Sequence, residues 1–224
     1  MSQEKQKKQA KELPFAWHWQ ETLIAGQPRP LAVASDPDAM LIDACKRQDE
    51  GETGVIDPFW ATTWRAASGI DRFMDRLELA DRRVLEVGCG TGHAGMAAAA
   101  RGAQVTLTDG VEDPLHLVRM SLERNSLQAR VRLLRLGQDR IEGERFDVIL
   151  GSDVTYLREL WTQLLDCFEE QLTQEGVALL SDPMRLIANE FCDWIKQKPW
   201  QTTVHSISMD DDPDHPIRVI ELRR

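Results

Sequence analysis

A glycine-rich turn carries the clearest chemical pattern in this chain. Residues 84–95 read VLEVGCGTGHAG, so an apolar run ends in three alternating glycines and continues into an Ala-rich segment. Glycines at a strand-to-helix turn let the backbone approach a ligand closely. Glu86 stands two positions before the first glycine, and Asp109 ends the next apolar run. The spacing therefore indicates a binding site with a carboxylate on either side of a backbone cradle.

Two kinds of ligand suit this turn to different degrees. A dinucleotide fingerprint, G-x-G-x-x-G, can be read from Gly90 onward, with Asp109 where a ribose-binding carboxylate belongs. Glu86 argues against it, because a carboxylate beside the turn would crowd a pyrophosphate but could face a cationic amino group. A ligand with an ammonium group and a ribose, but no phosphate, fits better. Asp109 could also be a strand-end residue that caps the next turn.

These residues resemble motif I of the seven-strand S-adenosylmethionine-dependent methyltransferases, E/D-x-G-x-G-x-G. The resemblance implies that Glu86, Gly88 and Gly90 surround the methionine part of S-adenosyl-L-methionine and that Asp109 binds both ribose hydroxyls. It covers the chain from about Ile56 to the C-terminus, because the order of elements also looks like that family.

Two further strings resemble a narrower group. Residues 57–64, DPFWATTW, are similar to the D-P-Y-W-A-x-x-W segment of the lysine methyltransferases that act on the electron-transfer-flavoprotein β subunit, and of their bacterial nicotinamide-methyltransferase-like relatives. Ser152, Asp153 and Tyr156 match their D-x-x-Y region. The resemblance implies that Trp64 and Ser152 lie at the cofactor and that Asp153 and Tyr156 contact the methyl acceptor. Tyr156, the only tyrosine, could instead fill the top of the core.

Other positions depart from the family pattern. Residues 181–185, SDPMR, look like its G-D-P-G-R string, with Met184 in place of the glycine, and Arg65 stands where a proline is expected. The W-G-D/E string that supplies an adenine-contacting Trp reads LGQD over residues 136–139. Gln138 or Asp139 could meet the adenine amino group, or either could be a turn residue.

The elements that must position these residues alternate along the chain. Helices are predicted at 62–79, 94–100, 114–125, 158–172 and 187–196, and strands at 84–87, 104–108, 131–136, 146–150 and 177–181. Residues 201–208 and 217–222 predict an antiparallel hairpin around an acidic tip, residues 209–214, expected to be solvated and without a chemical role. This order predicts an α/β, Rossmann-like, doubly wound and mostly parallel seven-stranded sheet with an antiparallel C-terminal hairpin strand.

Residues 1–55 are expected to form an N-terminal extension to a methyltransferase domain over residues 56–224. The first dozen residues predict a frayed tail or a solvated helix. Beyond them, Pro28 and Pro30 are expected to interrupt regular structure. Trp17 and Trp19 are expected to pack as a buried edge strand or a lid, with a substrate cleft as the alternative.

Composition excludes several classes of partner. The chain has 27 Lys and Arg against 37 Asp and Glu, a net charge of −10, which disfavours nucleic acid and anionic membranes. The histidines lack partners at ligand spacing, so no metal is predicted, and His93 and the others are expected at the surface or in caps. The four cysteines form no C-x-x-C pair and no apolar leader is evident, which predicts a reducing, cytoplasmic location without a membrane span.

The resemblance and the residues together predict an S-adenosylmethionine-dependent N-methyltransferase. The acceptor is expected to be a lysine of a protein substrate, because the narrower resemblance is to lysine methyltransferases. Two alternatives stay open: a small-molecule N-methyltransferase on the same fold, and a non-catalytic module that binds the cofactor and a protein. Oligomeric state is not predicted.

Overall fold

The computed structural model describes residues 13–224; the predicted tail over residues 1–12 lies outside them. The described chain opens with a hairpin of strands β1 (Trp17–Ile24) and β2 (Gln27–Ala34). Ala25 and Gly26 connect them, both with positive φ, as a two-residue hairpin turn requires.

Thirteen longer elements follow the hairpin. The helices are α1 (Pro37–Asp49), α2 (Ala66–Met74), α3 (His93–Ala100), α4 (Glu112–Arg124), α5 (Trp161–Gln171) and α6 (Leu186–Ile195). The strands are β3 (Arg83–Glu86), β4 (Gln104–Asp109), β5 (Ala129–Leu133), β6 (Phe146–Ser152), β7 (Leu172–Asp182), β8 (Gln201–Met209) and β9 (Asp212–Arg223).

Strands β3 to β9 form one seven-stranded sheet in the order β5-β4-β3-β6-β7-β9-β8. Strands β3 to β7 pair in parallel, whereas β9 is antiparallel to both of its neighbours. The predicted fold class is therefore confirmed. The parallel strands end together along one side of the sheet, which we call the carboxyl edge, and Asp109, Ser152 and Asp182 are the last residues of their strands.

The sheet is covered on both faces, which explains its apolar central strands. Alternate residues point to opposite sides, so Val84 and Leu107 join one buried cluster, while Leu85 and Ile149 join the other. The first cluster also contains side chains of α2, α3, α4 and the N-terminal hairpin, and the second contains those of α5 and α6.

Several predicted bounds change in the structure. The helix predicted at 62–79 covers only Ala66–Met74 and follows a single 3-10 turn at Phe59–Ala61. The strand predicted at 131–136 is Ala129–Leu133, because the chain turns at Gly137, where Asp139 accepts hydrogen bonds from Arg135.

The C-terminal hairpin is longer than the sequence predicts. Its strands continue to Met209 and restart at Asp212, so the turn itself is residues 210–211. Cations of the α2 region offset the repulsion within the acidic tip: Arg72 lies 2.7 Å from Asp210, and Arg65 lies 3.2 Å from Asp212. The tip is exposed as predicted, but it is paired rather than merely solvated.

Two expectations for the extension were wrong. Pro28 and Pro30 lie within strand β2. Proline is tolerated there because both strands of a two-stranded sheet are edge strands, in which some backbone N–H groups make no hydrogen bond to a neighbouring strand. Trp17 and Trp19 are not buried; about two fifths of each is exposed, and the rings pack edge-on against each other. The guanidinium of Arg124 lies over the Trp19 ring.

Helix α1 was not predicted, although its start has a recognisable signal. Asp36 is the N-cap, its carboxylate accepts the Ala39 N–H at 2.9 Å, and Pro37 follows at the first helical position. Weak amphipathicity hid this helix, since Ala44 is its only buried residue.

Candidate active site

A cavity of about 350 Å³ opens at the carboxyl edge, within the range typical of small-molecule sites. Its walls come from the glycine turn (residues 88–92), from residues 56–64, and from the segments that follow β4, β5 and β6. A larger cavity of about 570 Å³ lies between α1 and residues 54–60 and contains no part of the glycine turn. The smaller cavity is therefore the candidate site.

The cavity brings together eight of the nine residues that the sequence singles out. They share positions just after strand ends or in the segment that crosses the glycine turn: Trp64, Gly88, Gly90, Asp109, Gln138, Ser152, Asp153 and Tyr156. Glu86 is the exception, because it is fully buried and does not contribute to the cavity wall.

The glycine turn lies directly against the segment above it. Gly88 and Gly90 have φ of 60° and 47°, a region that favours glycine. A Cβ on Gly90 would lie 3.5 Å from the Trp60 carbonyl oxygen, and one on Gly88 would lie 3.0 Å from the Val154 side chain. Both positions thus have a conformation that favours glycine, and at Gly88 the space for a side chain is also tight.

Asp109 is held by backbone donors at the cavity wall. Its Oδ2 accepts the Gly90 N–H at 2.9 Å, and its Oδ1 accepts the Val111 N–H at 3.1 Å. Burial raises the pKa of Asp109, while these hydrogen bonds oppose the rise. Each oxygen keeps acceptor capacity beyond its one backbone bond, so the group fits two neighbouring hydroxyls.

Glu86 lies behind the glycine turn. Its Oε2 accepts the Gly95 N–H at 2.8 Å, which ties the end of β3 to the first turn of α3. Its Oε1 has no hydrogen-bond partner among the described residues. Burial raises the pKa of Glu86 to about 8, and the charge of Asp109 adds to the rise. Glu86 therefore supports the turn from within; a direct contact with cofactor stays a prediction.

The wall beyond β5 has both apolar and polar residues. Leu134 and Leu136 line the cavity together with Arg135 and Gln138. Asp139 instead binds Arg135 through both carboxylate oxygens, at 2.7 and 2.9 Å from the guanidinium nitrogens. Of the two candidates for the adenine amino group, Gln138 lines the cavity and Asp139 is the turn residue.

Asp153 is held by an arginine that the sequence did not identify as a site residue. The Nε and Nη2 of Arg185 donate to Asp153 Oδ1 and Oδ2 at 2.8 and 2.7 Å. Asp153 is only 6% exposed, and the Arg185 guanidinium carbon lies 5.1 Å from the centre of the Trp64 ring. Met184, where the family has glycine, keeps a positive φ of 62°. The SDPMR string indicated that this segment matters, but it did not indicate that Arg185 contacts Asp153.

Tyr156 lies on the cavity wall beside an aromatic neighbour. The Phe59 ring meets it edge-on, with ring centres 5.7 Å apart. Burial raises the pKa of Tyr156, and the charges of Asp109 and Asp153 add to the rise, so its phenol is neutral at physiological pH. With about two fifths of the residue exposed, it can meet a molecule that enters the cavity.

His93 belongs to a buried network that the sequence did not predict. Rather than lying at the surface or in a simple cap, it is 1% exposed, and its Nε2 lies 3.2 Å from Asp71 Oδ2. Asp71 also accepts the Ala25 N–H at 3.0 Å and pairs with Arg101 at 2.7 Å. The network joins the N-terminal hairpin, α2 and α3 beneath the glycine turn.

Residues 13–224 offer neither a cluster of metal ligands nor a membrane-spanning helix. No group of three or more His, Cys, Asp or Glu side chains there is arranged to hold a metal ion. None of the helices in this part of the chain has the length and apolar character needed to cross a membrane.

Comparisons with known proteins identify the family of this chain. Residues 47–198 match the model of a family described as lysine methyltransferase. The chain is 32% identical over 184 residues to protein N-lysine methyltransferase METTL21A of Xenopus tropicalis, covering 80% of this chain and 83% of that protein. It is 29% identical over 137 residues to the electron transfer flavoprotein beta subunit lysine methyltransferase of Xenopus laevis, covering 58% and 54%.

A solved structure shares the fold at low identity. The 16S rRNA N2 G1207 methyltransferase RsmC of T. thermophilus, in complex with AdoMet and guanosine, aligns with a TM-score of 0.65 and 19% identity. The match covers 96% of this chain and 52% of that one. The fold, the glycine turn and the family match lead to one conclusion: the chain belongs to the lysine methyltransferase family and is an S-adenosyl-L-methionine-dependent methyltransferase.

Proposed function

We propose that this protein transfers the methyl group of S-adenosyl-L-methionine to the side-chain nitrogen of a lysine in a protein substrate. The observation that carries the proposal is the placement of Asp153 and Tyr156 in the same cavity as the glycine turn and Asp109. One cavity thus offers a polar, partly exposed wall beside the cofactor residues. The names of the related proteins support lysine as the acceptor.

The cofactor side is proposed from the donors and acceptors present. When bound, S-adenosyl-L-methionine supplies a methyl group on a positively charged sulfur. Asp109 would accept hydrogen bonds from the two ribose hydroxyls, and Gln138 would accept one from the adenine amino group. Gly88 and Gly90 would leave room for the methionine part, while Ser152 and Trp64 line the same cavity and Glu86 supports the turn.

The acceptor side has to present a neutral amine, because an ammonium has no lone pair for attack. A partly buried lysine loses its proton more easily than an exposed one, since burial disfavours the charged form. Asp153 would orient the amine through hydrogen bonds, and the Tyr156 ring would form the wall along its carbon chain. Both residues position the acceptor rather than remove a proton in a separate step.

A protein acceptor also fits the surface of the chain. The net charge of −10 and the acidic tip favour a basic substrate surface over nucleic acid. All four cysteines are free thiols in the structure, and we therefore place the reaction in a reducing compartment such as the cytoplasm.

Labelling of a cell lysate tests the proposal directly. The protein would be incubated with lysate and methyl-labelled S-adenosyl-L-methionine, and the labelled protein fraction would be hydrolysed and analysed for methyllysine. We expect labelled methyllysine with the wild-type protein and little with Asp109→Ala. Asp139→Ala is the matched control, because that carboxylate faces Arg135 instead of the cavity.

Other outcomes would change the conclusion. Label confined to small molecules would replace the protein acceptor by a small amine. Absence of label, with a melting temperature that still rises on adding S-adenosylhomocysteine, would indicate a cofactor-binding module without transfer.

A further inference from the structure

Arg185 is fixed from three directions at the acceptor end of the cavity. Its guanidinium binds both oxygens of Asp153, its charged face lies over the Trp64 ring, and its own backbone N–H donates to Asp182 Oδ1 at 2.9 Å. Two parallel N–H···O bonds to a carboxylate form the strongest common ion-pair geometry. An arginine held this firmly against two residues of the cavity wall, Asp153 and Trp64, calls for a role in the reaction.

The chemistry of the acceptor gives it one. An unpaired carboxylate in a nearly buried position would bind an incoming lysine as an ammonium and hold its proton. The same carboxylate is useful as a hydrogen-bond acceptor that orients the amine. Arg185 balances the negative charge of Asp153, so Asp153 can orient the amine by a hydrogen bond without holding the amine as an ammonium. Each carboxylate oxygen still has a lone pair free for an amine N–H.

We propose that Arg185 is a positioning residue of the methyl-transfer site, which holds Asp153 as one half of an ion pair so that Asp153 orients the acceptor amine without keeping it protonated. The inference deepens the proposed function and rests on it.

The other charged groups around Asp153 do not take over this task. Asp182 lies at the end of the neighbouring strand and pairs with Arg218 of β9 at 3.2 Å, so that cation is already balanced. Tyr156 is neutral at physiological pH. Asp57, Asp109 and Glu159, whose charges raise the pKa of Tyr156, are acids, and Arg135 on the cavity wall pairs with Asp139. Among the described residues, Arg185 is the cation that forms a salt bridge with Asp153.

The test compares pH profiles of kcat, which report the enzyme–substrate complex, for wild type, Arg185→Met and Arg185→Lys. The acceptor is the protein that the wild type labels most strongly in lysate, purified. We expect Arg185→Met to move the midpoint of the acidic limb upward by about one pH unit, and to lower kcat at neutral pH by about tenfold. Arg185→Lys keeps the charge without the paired geometry and should fall between the two.

A double variant shows whether Arg185 acts through Asp153. Once Asp153→Asn has removed the negative charge, adding Arg185→Met should shift the midpoint no further. Arg130→Met is the control. Arg130 of strand β5 forms a similar pair of hydrogen bonds with Glu144, away from the cavity. The control should leave the pH profile unchanged. Melting temperature and affinity for S-adenosylhomocysteine are measured for every variant.

Several results would overturn the inference. An unchanged midpoint in Arg185→Met, with activity falling only as melting temperature falls, would show a structural role. Higher activity at neutral pH would show that Arg185 obstructs the acceptor. If wild type labels no lysine, the proposed function fails, and this inference fails with it; if wild type is active and only the midpoint prediction fails, the proposed function stands.

Discussion

The two halves of the carboxyl edge hold their carboxylates in different ways. On the cofactor side, Glu86 and Asp109 accept hydrogen bonds from backbone N–H groups of the nearby chain. On the acceptor side, Asp153, Asp182 and Asp212 are each paired with an arginine side chain. Burial raises the pKa of both cofactor-side carboxyl groups and the backbone N–H groups oppose that rise, whereas each acceptor-side carboxylate has a cation beside it. The difference suits a cofactor held by hydrogen bonds and a substrate selected by charge.

The largest effect on methyl transfer is expected on the acceptor side. Asp153→Asn keeps the shape of the side chain but removes the charge that Arg185 binds. We expect methyl transfer to fall by about 100-fold or more, with little change in cofactor affinity, because the cofactor carboxylates are held separately. Initial rates and calorimetric titration on one preparation would measure both. Normal transfer by this variant would remove Asp153 from the mechanism.

The matching test on the cofactor side is Asp109→Ala. The change removes the acceptor proposed for two ribose hydroxyls, and we expect cofactor binding to weaken by about 1.5–3 kcal/mol. Isothermal titration with S-adenosylhomocysteine measures the loss, and Asp139→Ala serves as control. An unchanged dissociation constant would mean that Asp109 only fixes Gly90 and Val111.

Glu86→Gln tests whether a backbone-held carboxylate is neutral in the folded protein. Its pKa is raised to about 8, so the folded state keeps a proton that the unfolded chain releases above about pH 4.5. The stability linked to this group is complete below pH 4.5 and is lost as pH rises through about 8. Glutamine mimics the protonated acid and removes this loss.

Relative to wild type, Glu86→Gln should therefore gain about 1–3 kcal/mol of unfolding free energy between pH 5 and pH 8. Urea unfolding at both pH values checks it, with Glu123→Gln on the exposed face of α4 as control. A constant difference between Glu86→Gln and wild type would show that Glu86 is ionised throughout this range.

Tyr156 provides a smaller test, of shape rather than charge. Tyr156→Phe keeps the ring that packs against Phe59, so we expect a loss of only a few-fold in transfer. Tyr156→Ala removes the wall and should lower transfer by about tenfold. Equal effects of the two variants would point to the hydroxyl, and a parallel fall of melting temperature in both would point to a purely structural ring.

The smallest expected effect concerns the strand end that positions Arg185. Met184 is half-exposed with a φ of 62°, a conformation that costs an L-residue about 1–2 kcal/mol. We expect Met184→Gly to raise the unfolding free energy by about 0.5–1 kcal/mol, since glycine's greater freedom in the unfolded chain offsets part of the gain. Met184→Ala, which keeps a Cβ, should give no such gain in thermal or urea unfolding.

The comparison also explains what the sequence could predict. Glu86 and Asp109 accept from Gly95 and Gly90, which stand at motif spacing, so their environment follows from a local string. Asp153 and Arg185 are 32 positions apart and meet only because β6 and β7 are neighbours in the sheet. The fold class was predicted from the sequence. The residues around Asp153 and those around Arg185 do not, however, specify which side chain each one contacts.

The same limit explains two other differences. Arg65, where the family has proline, binds an acidic tip about 150 positions away, a pairing that no local pattern contains. Strand β2 was missed because Pro28 and Pro30 were taken as an interruption, although an edge strand tolerates proline. Asp36 and Pro37, by contrast, form a local pattern that predicts the start of α1.

The N-terminal hairpin has a consequence for how the chain folds. Ala32 donates its N–H to the Ser121 hydroxyl, 89 positions later, and Asn125 binds the Pro30 carbonyl across 95 positions. When synthesis proceeds from the N-terminus, the hairpin emerges first but finds these partners only after α4 has been made. Ile24 and Leu31, fully buried in the finished protein, have no core to enter until then. These two strands therefore cannot dock until α4 has been made, and a fragment that begins after them would leave Ser121 and Asp71 without the groups that cover them.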